Sequence, residues 1–283
     1  MNELVEKSYA KINLCLHVLG RLPNGYHRIS TLMQRVALHD EVTLRAVSSG
    51  VFVGTNRAEL NREIENNTAK KAAELFFEHT AIKAGVEIFL QKNIPHKAGL
   101  GGSSSNGAAV IEGLDKLFET HLSYKDKCAL AIRVGADVPF FIRGQTAKVE
   151  GIGEKITPIY PALQREVLII KPPFGVSTKE AYESLRPELF SKNSKVEELY
   201  QGYLQNDPVT IQHYTVNTFE KNMAQKAEIA KIKEACIENG AIASLMTGSG
   251  SAIFAVFASE KMCYNAYQKM RLQYEQTFFT EFC

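Results

Sequence analysis

Between Ser8 and Gly20 apolar and polar residues alternate. Ala10, Ile12, Leu14, Leu16 and Val18 share one side, and Lys11, Asn13, Cys15 and His17 the other. A period of two predicts a half-buried β-strand. Leu22-Pro23-Asn24-Gly25 has turn chemistry, so the chain reverses there, and strand material resumes from Tyr26 to Val47. Residues 67–79 read as a helix and 86–95 as a strand stopped by Pro95. After residues 98–106, Ala-Gly-Leu-Gly-Gly-Ser-Ser-Ser-Asn, the residues Ala108, Ile111, Leu114 and Phe118 recur at helical spacing. Residues 128–144 read as a short helix, a glycine stop and a new helix start at Asp137. Residues 145–159 read as a strand pair. Pro158 and Pro161 mark a boundary, giving expected domains 1–158 and 159–283.

The second half opens with a strand over 166–173. A helix follows, started by Ser177 with Glu180 as a capping box. A long amphipathic helix over 221–239 is closed by Gly240. Two apolar strands flank a small-residue loop in 243–257, and a last helix and strand complete the chain. This order predicts an α+β arrangement.

Residues 98–106 lie between a strand end and a helix start, which is not the position of a linker. A glycine turn with a serine cap explains one Gly and one Ser. An anion cradle explains the whole stretch: glycines allow close backbone approach, and a helix N-terminus adds partial positive charge. The Walker pattern is absent.

Composition narrows the class without naming it. The 283 residues favour two domains. A formal charge of +2 gives no pull toward nucleic acid or an anionic membrane. No apolar run reaches the length of a spanning helix, and the N-terminus lacks a signal core. Five cysteines without metal spacing read as reduced thiols in a cytoplasmic protein.

Three segments then stand out: residues 9–27, 94–106 and 245–254. Together they resemble the GHMP kinase superfamily. The phosphate-loop form P-x-x-x-G-L-G-x-S-S is matched from Pro95 to Ser104, and the Gly/Ser-rich C-terminal motif from Thr247 to Ser251. Residues 135–141, 151–154 and 171–182 carry the likeness further, so that it runs from residue 8 to 257. Three positions depart from it: Thr247 for the more usual serine, Ser103 for a frequent glycine, and Thr218 where an acid is common.

The resemblance implies a two-domain α+β fold, with a mixed-sheet N-terminal domain, a ferredoxin-like C-terminal domain and the active site in the cleft between them. It also implies ATP-dependent phosphorylation of a tertiary 2-hydroxyl on a cytidine-diphosphate-linked polyol of non-mevalonate isoprenoid synthesis. ATP and Mg²⁺ are the implied cofactors, and the chain is expected to be a monomer or weak homodimer.

Lys11 and Asp137 are the implied catalytic pair. Read alone, Lys11 is an exposed strand lysine and Asp137 a helix N-cap. For ATP the likeness points to Asn67, Lys92, Pro95, Gly99, Leu100, Gly101, Gly102, Ser103, Ser104 and Ser105, with Ser103 also reaching Mg²⁺. For the substrate it points to Asn13, Tyr26, His27, Tyr182, Gly248 and Gly250. His17, on the polar face of the first strand, is read as structural, and Thr218 is given no catalytic role. Two rivals stay open at this level: another superfamily kinase acting on mevalonate, homoserine or a sugar, and a sensor that binds without turnover.

Overall fold

The computed structural model describes residues 2–283. By contact the chain divides into two compact units. The first comprises residues 1–10, 38–94 and 101–144, and the second comprises 11–37, 95–100 and 145–283. These are interleaved along the chain, whereas the sequence suggested the halves 1–158 and 159–283. The interleaving follows from two long strands, β1 (Glu3–Arg21) and β2 (His27–Val47), which each contribute residues to both units.

In the first unit, the later half of β2 pairs antiparallel with β4 (Gly85–Gln91), from Glu41↔Gln91 to Val47↔Gly85. β4 pairs parallel with β3 (Val51–Thr55), a strand that the polar-apolar pattern did not reveal. Helices α1 (Thr68–Thr80), α2 (Gly102–Leu117), α3 (Tyr124–Val134) and α4 (Val138–Arg143) complete this unit. Its core is built from Val42, Leu44, Phe76, Ile88, Leu90, Ile111 and Leu114 with their neighbours. Asn67 caps α1 through Ala69 N–H, and Ser123 caps α3 through Asp126 N–H.

In the second unit, the early half of β2 pairs with β5 (Thr146–Gly151), which forms the expected hairpin with β6 (Lys155–Pro158). A separate antiparallel sheet has the order β10-β7-β9-β8, with β7 Glu166–Lys171, β8 Ala243–Met246, β9 Ile253–Phe257 and β10 Gln276–Glu281. With α8 (Lys226–Glu238) and α9 (Glu260–Met270) it makes a split β-α-β layer of ferredoxin type. Leu168, Ile170, Ile232, Ile253, Phe257 and Cys263 lie in its core. Three further helices lead into it: α5 (Thr178–Glu183), α6 (Val196–Leu204) and α7 (Pro208–Tyr214). The serine half of the expected capping box forms, Ser177 Oγ accepting from Glu180 N–H. The long helix starts five residues later than its periodicity suggested. Residues Thr218–Asn222 turn as a short 3-10 segment instead, because the Asn217 side chain accepts from Phe219 N–H and caps that turn.

The expectation of a half-buried first strand is corrected. Lys11, Asn13, Cys15 and His17 are as buried as the apolar face. Within the second unit Ser191 and Lys195 meet the His17 ring on that side of β1, and residues 216–218 and Thr247 bond along the strand's edge. Leu16 N–H donates to Val216 O, Asn13 N–H to Thr247 Oγ1, and Val18 N–H to Thr218 Oγ1.

Candidate active site

In the first unit, α2 begins at the glycine stretch. Gly101 is its N-cap in the left-handed region, φ +71°, a conformation that favours glycine. Ser105 N–H makes the first intrahelical bond, to Gly101 O, at 2.9 Å. The amides of Gly102, Ser103 and Ser104 precede that bond, and helix geometry gives them no intrahelical acceptor. Ser103 is exposed beside them. Ser105 departs from the expected set: its hydroxyl is buried and accepts from Ser8 Oγ at 2.8 Å.

Lys92 also departs from it. Its ammonium is buried in an ion pair with Asp40 and donates to Asn106 Oδ1 at 2.7 Å. Asp40 is fully buried and saturated. One oxygen accepts from Asn93 and Ile94 N–H at 2.7 and 2.8 Å, and the other from Lys92 and from Asn106 Nδ2 at 3.0 Å. Lys92 therefore supports the glycine loop from beneath, its Nζ 3.6 Å from where a Cβ on Gly102 would sit. Sequence reasoning missed Asp40, Asn106 and Ser8. The signal for Asp40 was an acid in the middle of a strand run, where such residues are depleted.

In the second unit, the first part of the same loop, residues 95–100, lies against the second small-residue loop. Lys11 N–H donates to Leu100 O at 2.9 Å, and Ala252 N–H to Ala98 O at 3.0 Å. Gly99 has φ +75°, and a Cβ there would stand 2.3 Å from Thr247 O, so no larger residue fits this approach. Lys11 Nζ donates to Asn13 Oδ1 at 2.6 Å, and Asn13 Nδ2 donates to Thr31 Oγ1 at 2.9 Å. Lys11 Nζ lies 3.4 Å from the place a Cβ on Gly248 would take, so the ammonium faces the second loop. Asn217, also missed, fixes that loop by donating to Met246 O and Gly248 O at 2.7 and 2.8 Å. Gly250 N–H closes the turn onto Thr247 O at 3.0 Å. Thr247 keeps its hydroxyl on Asn13 N–H, the bond a serine would make. Thr218 is structural, bridging the Val18 amide and the Leu16 carbonyl. Cys15, between these groups, is no nucleophile, because burial pushes its thiol up to about 12.

At the other end of β1 the second unit carries an aromatic group. His27 and Tyr182 are stacked, with centroids 5.1 Å apart and planes at 28°. Phe190 meets His27 edge-on at 5.9 Å, and Phe219 meets Tyr182 edge-on at 4.9 Å. Tyr26, expected with His27 and Tyr182 at the substrate, leaves 60 % of its surface exposed.

Two remaining candidates lie in the first unit. Asn67 uses its carboxamide oxygen as the cap of α1. Asp137 sits at the N-cap position of α4, without a side-chain capping hydrogen bond to that helix.

Comparison with known proteins now bears on this geometry. The family model for the GHMP kinase N-terminal domain matches residues 67–145, and that for the C-terminal domain matches residues 215–276. The 4-diphosphocytidyl-2-C-methyl-D-erythritol kinase of Clostridium tetani is 36% identical over 277 residues, covering 97% of this chain and 98% of the relative. The chain belongs to the 4-diphosphocytidyl-2-C-methyl-D-erythritol kinase family. A crystal structure of 4-(cytidine 5'-diphospho)-2C-methyl-D-erythritol kinase superposes with a TM-score of 0.85 at 31% identity, covering 99% of both chains. Homoserine kinase from Cytophaga hutchinsonii shares the fold at TM-score 0.78 and 22% identity, covering 100% of this chain and 95% of that one. The chain is thus a small-molecule kinase of this family with the two-domain GHMP fold.

Two predictions follow from the buried groups. Asp40→Ala leaves the Lys92 ammonium buried and unpaired, which costs about 3–5 kcal/mol. Urea denaturation should show that loss, and a midpoint near wild type would refute the supporting role given to Asp40. His17 and His27 supply the second. His17 is held below its ordinary value by burial, then by Lys221 and Lys195, with Glu198 opposing; His27 is lowered by burial, then by Arg21. The folded state therefore prefers both neutral. Their contribution to stability is full above about pH 6.5, where the unfolded histidines are also neutral. It declines as pH falls below that value toward the folded pKa values, because the unfolded chain takes up protons first. The melting temperature should drop between pH 7.5 and 5.5, and less so in His17→Gln. An equal drop in both proteins would remove His17 from the account.

Proposed function

We propose that this chain transfers the γ-phosphoryl group of ATP to the tertiary 2-hydroxyl of 4-diphosphocytidyl-2-C-methyl-D-erythritol, releasing ADP. The observation that carries the proposal is the buried Lys11 ammonium, held by Asn13 and turned toward Gly248 in a member of this family. Phosphoryl transfer needs positioned phosphates, an oriented alcohol and neutralised charge. The amides of Gly102, Ser103 and Ser104 suit the ATP phosphates, with Gly99 and Gly101 giving the loop its path after Pro95 and Leu100 O its anchorage on Lys11 N–H. Lys92 serves ATP through the loop it supports, and Asn67 serves at the start of α1.

Asp137 orients the substrate hydroxyl and takes its proton as the new O–P bond forms. Lys11 stabilises the charge that develops on the attacking and transferred oxygens. Mg²⁺ fits this chain as an ion carried in on the nucleotide phosphates. Among the described residues no cluster of three His, Cys, Asp or Glu could hold a metal, while Ser103 offers an exposed hydroxyl in the cradle. When bound, the ion would neutralise phosphate charge.

The cytosine is taken at the aromatic end. Tyr26 and Tyr182 offer ring faces, and the neutral His27 can both donate to and accept from a base edge. Asn13 lies at the polyol end; Gly248, where a Cβ would stand 3.4 Å from Asn13 Oδ1 and from Lys11 Nζ, leaves room there, and Gly250 serves by shaping the second loop.

An ADP-release assay over this cytidine substrate, mevalonate, homoserine and a sugar tests the proposal. Turnover is expected with the first alone, and comparable turnover with another alcohol would overturn the substrate assignment. Asp137→Ala should keep nucleotide binding and lose at least ~100-fold in kcat, the range of a general base. Near-normal kcat there would take Asp137 out of the reaction. Gly101→Val puts a branched side chain at a left-handed position in the cradle. It should raise the ATP KM without moving the cytidine-substrate KM, and an unchanged ATP KM in the folded variant would show that the loop does not bind phosphate.

A further inference from the structure

Residues 190–195 run without helix or strand between the 3-10 turn Pro187–Leu189 and α6. They lie in a stretch of the chain that the family motifs leave without a role. They are nevertheless closely tied to the second unit. Ser191 N–H donates to Val18 O at 2.8 Å, and Ser194 Oγ and Ser30 Oγ share a bond at 2.8 Å. Lys221 Nζ reaches Leu189 O at 3.2 Å, just ahead of them.

The buried ring of His17 holds both ends of the segment. Lys195 N–H donates to Nε2 at 3.3 Å, and Nδ1 meets Ser191 Oγ at 3.4 Å. Because Lys195 N–H needs a bare nitrogen, the proton sits on Nδ1 and is donated to Ser191 Oγ. Ser191 can then donate to Thr218 Oγ1 at 3.0 Å, and Thr218 to Leu16 O at 3.2 Å. Every donor in this chain has an acceptor, with one ordering of the protons.

The segment carries Phe190, whose ring meets His27 edge-on while Tyr182 stacks on His27. His27 is only partly buried, so these two rings, and not a surrounding core, restrict its rotation. A ring fixed in advance binds its ligand without the entropy of ordering it.

We infer that residues 189–195 form a fixed strap, clasped by His17, that presses Phe190 against His27 and makes Phe190 and His17 positioning residues for the cytidine-bearing substrate. The inference rests on the reading that His27 and Tyr182 receive the base. It adds that the orientation of His27 is set from behind by a segment outside the family motifs.

The test compares Phe190→Ala, Phe190→Leu, His17→Ala and His17→Gln with a reference variant, Tyr182→Ala, in full steady-state kinetics on folded protein. Phe190→Ala and His17→Ala should raise the cytidine-substrate KM by about three- to tenfold, the range of one aromatic contact. The ATP KM and the kcat at saturation should stay as in wild type. His17→Gln should recover most of the loss, since a carboxamide can accept from Lys195 N–H and donate to Ser191. Phe190→Leu, which keeps bulk without the ring edge, serves where the alanine variant does not fold, and should also raise KM. If Tyr182→Ala raises the substrate KM and the Phe190 and His17 variants do not, the strap is overturned and the base site stands. If the strap variants lower kcat in proportion to folded protein with both KM values unchanged, their role is packing alone and the inference fails. If Tyr182→Ala leaves the substrate KM unmoved, the base-site reading fails and the strap falls with it.

Discussion

The carboxylate of Asp40 closes the glycine loop. It accepts from the backbone at Asn93 and Ile94, just ahead of the loop, and from Asn106, just after it. The Lys92 ammonium balances its charge in a site shielded from water. A flexible stretch of this length would lose much conformational freedom on binding phosphates. Pinning both ends to one saturated side chain removes part of that cost before any ligand arrives. The arrangement also explains why Lys92, read as a ligand of ATP, is better understood as part of the mounting.

The second unit solves a related problem with neutral groups. The polar face of β1 is buried, and burying hydrogen-bonding groups without partners is costly. Asn13 takes Lys11 on its oxygen and gives its nitrogen to Thr31; Thr31 gives its proton to the Cys15 carbonyl; Asn217 takes up the carbonyls of the 246–248 turn. Such a network has one arrangement in which every member is satisfied, and that arrangement fixes the ammonium at the second loop. The chemistry proposed for Lys11 needs this fixity as well as the charge.

At the base end a different force does the positioning. Four rings, Phe190, His27, Tyr182 and Phe219, touch in series, and the outer two are anchored by apolar packing. Aromatic contacts of this kind are directional but individually weak. A strap held by several hydrogen bonds gives the series a fixed end. On the reading proposed for His27 and Tyr182, substrate recognition draws on a segment whose sequence carries no motif.

Much was legible in the sequence because it depends on near neighbours. Period-two and period-3.6 patterns gave β1, β2, α1, α2 and the strands of the second sheet, and local chemistry gave the Leu22–Gly25 turn and the Ser177 cap; the serine cap open to residues 98–106 is instead a glycine, Gly101. The glycine stretch marked a helix start, where the first amides have no intrahelical acceptor. The sequence did not disclose which polar residues turn inward. Alternation placed Lys11, Asn13 and His17 opposite the apolar face, and only the fold brings Ser191, Lys195 and Thr247, from far along the chain, onto that face. The same holds for Ser105, for Lys92, for Asp40 and for the stacking of His27 on Tyr182. Periodicity reports which residues share a face. Whether that face meets water or a distant, hydrogen-bonding segment is settled only when the chain closes on itself, because the partners that make burial tolerable are supplied by tertiary contacts and not by sequence neighbours.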